Sequence, residues 1–337
     1  VQIHVRALDL PLHRPFTISR GSRRIARNIL VEVEHEGRWG RGEGAPNPRY
    51  AQSQESAVAA VEDFVPLAAW TPFHLEEVLQ AFSEHAPGES AARCALESAL
   101  WDWVGRARRL PLCRMLAIDP TGPPPSSYTL SIDQPEGLRA RIREAKDWPI
   151  LKLKLGGGPG DFRAVEELGR WTDRPFRVDA NEAWSEEEAA ERIAWLAQRG
   201  CELVEQPLPA GQWDAVARIR EHSPLPLVAD EDVTDRGGVK ELAGVYDGIN
   251  VKLMKAGGIT EAVSMIHDAR RAGLQVMVGC FVESSLGIAA AAHLAPLARW
   301  ADLDGAALLQ EDPFGPAVVG PDGIHPPTRP GLGVDPV

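Results

Sequence analysis

Eight polar residues mark the second half of the chain at an almost constant interval. Thr129, Lys154, Asp179, Glu205, Asp230, Lys255, Cys280 and Asp304 follow one another at steps of 24 to 26 positions. Each falls in or just after a short apolar run: YTLSI, ILKLKL, FRVDA, LVEQP, LVADE, GINVKL, QVMVG and WADLDG. Amphipathic stretches opening near Pro135, Asp161, Ser185, Gln212, Thr234, Thr260 and Ser284 separate the runs and read as helices. Such a step is the length of one strand plus one helix, and strict alternation of the two predicts a parallel sheet. Eight parallel strands with seven helices close most naturally into a (β/α)7β modified TIM barrel, an α/β fold. The marked residues then lie at the C-terminal ends of the strands, where barrel active sites are built. An open doubly wound sheet is the alternative. No GxGxxG follows its first strand, and Gly156-Gly157-Gly158 lacks the Lys-Ser/Thr of a phosphate loop.

The first third of the chain is organised differently. VQIHVRALDL alternates as a strand, and NILVEVEHEG with RWGRGEGAP reads as a hairpin about Glu36-Gly37. SQESAVAAVEDFVPLAAW, HLEEVLQAFSEH and AARCALESALWDWVGRA then read as helices. Strands followed by helices predict an α+β capping domain over 1–122. The break at Pro123-Pro124-Pro125 opens the barrel, 123–311, and the Pro/Gly-rich tail 312–337 is expected to pack back on the cap.

Asp and Glu number 48 against 36 Lys and Arg, a net charge of −12. That balance argues against partners such as nucleic acid or an anionic membrane. The four cysteines show no metal-ligand spacing and read as free thiols in a reducing compartment. No basic-then-apolar leader and no uninterrupted apolar span occurs, so a cytoplasmic protein is expected, with a homo-oligomer left open.

Asp179, Glu205 and Asp230 end three neighbouring strands. Three converging carboxylates repel one another unless a cation joins them. An all-oxygen set with open positions suits a hard divalent ion, Mg²⁺ first. Lys152 and Lys154 share one face of strand two by their period-two spacing. Lys255 is read as the end of strand six. Strands two and six are four steps apart in a ring of eight, so Lys154 and Lys255 face each other across the metal arc. Two opposed bases suit removal of a carboxylate α-proton from one face and its return to the other. The metal stabilises the enediolate, and each lysine needs a depressed pKa.

KLKL, VDANEAW, LVEQPLP, ADED, INVKLMKAGG, GCFVESS and DLDG, taken in order, resemble the barrel motifs of the enolase superfamily, in its muconate lactonizing enzyme subgroup. PFTISRGSR resembles a segment of that family's cap. The resemblance covers nearly the whole chain and is nearest to dipeptide epimerases of the L-Ala-D/L-Glu type. It implies Mg²⁺, catalytic Lys154 and Lys255, and a small-molecule dipeptide as substrate, L-Ala-D-Glu and L-Ala-L-Glu being the expected pair. Asp302 and Asp304, two apart on strand eight, are the implied site for the dipeptide ammonium. Arg20, in SRGSRR, is expected to grip an acidic side chain, with Arg23 and Arg24 as alternatives. Lys152, Thr129 and Val282 are expected to line the pocket, and Asn181 and Glu231 to stand beside the metal ligands. ADED departs from the ADES common in the subgroup. A muconate cycloisomerase or o-succinylbenzoate synthase on the same scaffold shares the metal and lysines but leaves the paired aspartates unexplained.

Overall fold

A computed structural model of the chain describes residues 1–65 and 70–337. Three long strands, β1 (Gln2–Ile18), β2 (Gly21–His35) and β3 (Arg38–Gly44), form an antiparallel sheet in that order. The β2–β3 turn is Glu36-Gly37, with φ of 52° and 71°, the backbone of a type I′ hairpin. Strands β1 and β2 run further than expected, so only Ser19 and Arg20 form the turn between them. Arg23 and Arg24 lie on β2 rather than in a loop.

Helices α1 (Gln54–Glu62), α2 (Leu75–His85), α3 (Ser90–Arg108) and α4 (Leu112–Met115) complete the cap. The helix expected over SQESAVAAVEDFVPLAAW ends at Glu62, and its residues 66–69 lie outside the described ones. Helix α3 lies directly on β3. A Cβ at Gly40, Gly42 or Gly44 would collide with the carbonyl oxygens of Ala99, Ala95 and Ala91, respectively. Glycines at every second strand position thus meet alanines at every fourth helix position, which is how two backbones approach this closely.

The barrel strands are β4 (Ser127–Leu130), β5 (Ile150–Lys154), β6 (Phe176–Asp179), β7 (Cys201–Glu205), β8 (Leu227–Ala229), β9 (Gly248–Lys252), β10 (Gln275–Gly279) and β11 (Trp300–Asp302). They pair in parallel and in chain order, and a parallel bridge between Ser126 and Ala301 brings the last strand to the first. Helices α5 (Pro135–Glu144), α6 (Gly160–Trp171), α7 (Glu186–Ala197), α8 (Trp213–His222), α9 (Leu253–Ala256), α10 (Ile259–Arg271) and α11 (Ser285–Ala292) connect them. Two expectations are corrected. No α-helix opens near Thr234; a single 3₁₀ turn covers Val239–Leu242. Residues 234–238 read TDRGG, where Asp235 accepts from the Gly237 N–H at 2.7 Å and two glycines disfavour a helix. Strand β9 ends at Lys252, and Lys255 lies beyond it on the one-turn helix α9.

The tail returns to α3. Leu332 N–H donates to Asp102 at 2.8 Å, and Arg106 donates to the Val334 carbonyl at 3.0 Å. Among the described residues no helix is long and apolar enough to cross a membrane.

Candidate active site

Side-chain alternation on the inner barrel wall decides which residues meet at the C-terminal mouth. Asp179 and Glu205 end β6 and β7 in direct register, and Asp230 follows β8 by one residue. All three are buried, and one oxygen from each lies within 4.8 Å of the others. Lys152 and Lys154 both face this cluster from β5. Lys152 Nζ lies 2.6 Å from Glu205, 2.6 Å from Asp302 and 3.1 Å from Asp179. Lys154 Nζ lies 2.5 Å from Asp179.

The lysine opposite Lys154 is not the one expected. Asn250 reaches inward to donate to Glu205 at 2.9 Å, so Lys252, two residues on, shares its face. The Lys252 ammonium lies 2.7 Å from Asp230 Oδ2, over the Phe281 ring, and lines the cavity between cap and barrel. Lys255 sits instead on the far side of Asp230. Its ammonium is taken up by Asp230 Oδ1 at 2.6 Å, the Asp230 carbonyl at 2.6 Å and the Asn250 carbonyl at 3.2 Å. Lys255 lines a separate cleft with Tyr50, Ser90 and Arg93. The near-constant step of 25 counts repeat units, while inward placement depends on strand parity. That parity, read from Asn250, is the signal for Lys252.

The charges hold one another in place. Burial pushes Glu205 up to about 7, with Asp179 adding to it. Burial also opposes ionisation of Asp230, but Lys252 and Lys255 hold it well below the usual carboxylate range. Burial alone would lower Lys152, yet Asp302, Glu205 and Asp179 hold it well above an ordinary lysine. Lys252 is raised for the same reason, burial being outweighed by Asp230 and Glu205. The depressed value expected at Lys255 holds in direction, with burial as its main cause. Three carboxylate oxygens at this spacing are a donor set that could hold a hard dication.

The paired aspartates separate into two environments. Asp302 is bound to Lys152 and accepts from Ser127 Oγ at 2.7 Å. Asp304 accepts from the Thr129 N–H at 2.6 Å and Thr129 Oγ1 at 3.2 Å, and has no basic partner among the described residues. Burial first, and Asp302 next, push Asp304 up to about 7. Val282 lines the same cavity, and its carbonyl accepts from Asn28 of β2 at 2.9 Å.

Arg20 also reaches the cavity, but its guanidinium is engaged. It donates to Glu231 at 2.7 Å, Glu182 at 2.9 Å and the Asn181 carbonyl at 3.0 Å. Arg49, which no sequence pattern singles out, makes a two-pronged contact with Glu182 at 2.9 Å and 2.9 Å. Arg23 lines the cavity with no acidic partner among the described residues, its guanidinium 5.8 Å from the Phe16 ring centre. Burial lowers its pKa.

Comparison with known proteins agrees along the whole chain. Residues 1–117 match the mandelate racemase / muconate lactonizing enzyme N-terminal domain, and residues 137–337 match the enolase C-terminal domain-like family. An L-Ala-D/L-Glu epimerase of Bacteroides thetaiotaomicron is 36% identical over 97% of this chain and 85% of that protein. One of Escherichia coli K12 is 38% identical over 90% of this chain and 92% of its own. The crystal structure of a dipeptide epimerase from Cytophaga hutchinsonii, complexed with Mg and D-Ala-L-Val, superposes with a TM-score of 0.92 at 27% identity, covering 99% of this chain and 95% of that one.

Proposed function

Because the chain belongs to the enolase superfamily, in the mandelate racemase / muconate lactonizing enzyme family, we propose that it is an isomerase that epimerises the C-terminal residue of dipeptides, L-Ala-D-Glu and L-Ala-L-Glu being the favoured pair. The observation that carries this reading is the placement of two primary amines, Lys154 and Lys252, on strands four steps apart on either side of a buried carboxylate triad. Asp179, Glu205 and Asp230 would hold Mg²⁺, which would supply electrophilic stabilisation of charge developing on the substrate carboxylate. Lys154 takes or returns the α-proton on one face and Lys252 on the other. Lys152 stands between the triad and Asp302, placed to contact the substrate carboxylate. Asp304, held by Thr129 and without a cation of its own, is assigned to the dipeptide ammonium. That demand for a substrate cation favours an epimerase over a cycloisomerase or o-succinylbenzoate synthase on the same scaffold.

Solvent exchange tests the two-base assignment. In D₂O with Mg²⁺, Lys154→Ala and Lys252→Ala should each abolish epimerisation of L-Ala-L-Glu while exchanging the α-proton of opposite epimers. A Lys252→Ala enzyme that still epimerises at the wild-type rate would return the second base to Lys255.

The acidic side chain of the second residue is assigned to Arg23, since Arg20 is already bonded to Glu231 and Glu182. A charge-assisted hydrogen bond contributes about 1.5–3 kcal/mol, or roughly 10- to 150-fold in kcat/KM. Arg23→Ala should lose that factor for Ala-Glu and little for Ala-Leu. Equal losses on both dipeptides would remove Arg23 from the specificity site.

A further inference from the structure

Two buried acceptor atoms on neighbouring residues that line the cavity have no donor among the described residues. They are Asn181 Oδ1 and Glu231 Oε2. Both residues line the cavity and are only 4% and 5% exposed. Their other atoms are committed. Asn181 Nδ2 donates to Glu231 Oε1 at 3.3 Å, and Arg20 donates to the same oxygen at 2.7 Å. The Asn181 amide is thereby oriented with its nitrogen toward Glu231, so what remains free on both side chains is an acceptor.

A buried acceptor left unmade pays its desolvation without return. Two on neighbouring residues call for a donor that none of the described residues supplies. Their position says which. Asn181 stands two residues after Asp179, and its N–H donates to that carboxylate at 2.9 Å. Glu231 directly follows Asp230. Three carboxylate oxygens leave part of an octahedral Mg²⁺ shell to water or substrate, and water on a dication is a stronger donor than bulk water.

We propose that Asn181 and Glu231 accept hydrogen bonds from the water shell of the divalent ion and so set its affinity from the cavity side. This rests on the metal assignment to Asp179, Glu205 and Asp230, and not on the identity of the substrate. The competing donor is an N–H of the substrate itself, which would leave metal affinity alone untouched.

Mn²⁺ binding to the full chain without substrate, followed by loss of the free-ion EPR signal, separates these cases. Glu231→Gln turns the free acceptor into a donor, and Asn181→Gly removes the other. Glycine suits the position because Asn181 has φ of 43°. Each variant should bind Mn²⁺ about 10- to 100-fold more weakly, the usual effect of removing an outer partner of a metal site. Arg49→Ala, which leaves both acceptors and the Arg20–Glu231 pair in place, should bind Mn²⁺ within about twofold of the wild type, since an exposed ion pair lost beside a site contributes little. Wild-type affinity in Glu231→Gln and Asn181→Gly overturns the proposal while leaving the metal reading intact. Weakening in Glu231→Gln alone overturns it as well, because loss of one nearby negative charge would then suffice. A wild-type chain that does not bind Mn²⁺ overturns the proposal and the metal reading together.

Discussion

The cap meets the barrel along two seams that differ in kind. On the β10–α11 side the contacts are buried and reach the backbone. Glu43 of β3 accepts from the Ser284 N–H at 3.0 Å, the Gly287 N–H at 3.2 Å and Asn28 at 2.7 Å, as well as from the Ser284 hydroxyl. Glu97 of α3 likewise accepts from the Thr260 N–H at 2.8 Å. A carboxylate at a helix N-terminus is favourably placed, and unpairing it in a dry interface is costly. On the β6 side the seam is an ionic clasp in which Glu182 holds Arg20 and Arg49. Those two arginine side chains are 34% and 38% exposed. Exposed ion pairs contribute only about 0.2–1 kcal/mol each. The first seam is the more deeply buried, and the Glu182 pairs of the second are expected to be the cheaper to loosen. The two seams should therefore answer to different variables, the first to pH and the second to salt.

The larger expected effect is on the buried seam. Glu283 is fully buried, and burial first and Glu43 next push its pKa from 4.5 up to about 8. Between those values the folded chain holds a proton that the unfolded chain has released. The stability contributed by Glu283 is thus fully present below about 4.5 and is lost as pH rises through about 8. Glu283→Gln keeps an acceptor for the Phe281 N–H and removes the titration. Urea unfolding at pH 6 and pH 9 should show the wild type losing more stability than the variant, by a few kcal/mol at most. Parallel pH dependence in the two proteins would detach Glu283 from the seam's stability.

The same contrast explains what is legible in the sequence. The barrel and its triad are readable because a strand and a helix together have a nearly fixed length, so Asp179, Glu205 and Asp230 arrive at regular steps. The count measures units and is blind to which face of a strand a residue occupies. It therefore selects Lys255, although Asn250 and Lys252 share the inward face. Arg23 and Arg24 read as a loop because charged residues interrupt the apolar pattern, yet this part of β2 is largely solvent-exposed and tolerates them. The missing helix near Thr234 is concealed by spacing that fits a full unit. Nothing local marks the clasp, since Arg49 and Glu182 stand 133 positions apart and meet only when the cap closes on the barrel. The free oxygens of Asn181 and Glu231 are equally out of reach, because which atom of a side chain is left over depends on every partner around it.

The smallest effect should come from the clasp, and it is the one that tests whether this seam moves. Glu182→Gln preserves shape and one acceptor but removes the charge that draws in both Arg20 and Arg49. Global stability should fall by less than about 1 kcal/mol, because the pairs are exposed and the buried seam still holds the cap. The loss should appear in substrate capture instead. With the clasp weakened, the turn at Ser19 and Arg20 and the segment carrying Arg49 and Tyr50 close less firmly over the cavity they line. KM for the dipeptide should rise about two- to tenfold with kcat nearly unchanged, matching the free energy of one or two such pairs. Salt provides the independent check. At about 1 M the screening length falls to roughly 3 Å, so wild-type KM should climb toward that of the variant while the variant stays nearly flat. If both enzymes respond to salt alike, electrostatic attraction of a charged substrate accounts for the slope and the clasp does not. If Glu182→Gln instead lowers kcat with KM unchanged, Glu182 acts through the adjoining Asn181 and Asp179, and the β6 seam is as fixed as the one at α11.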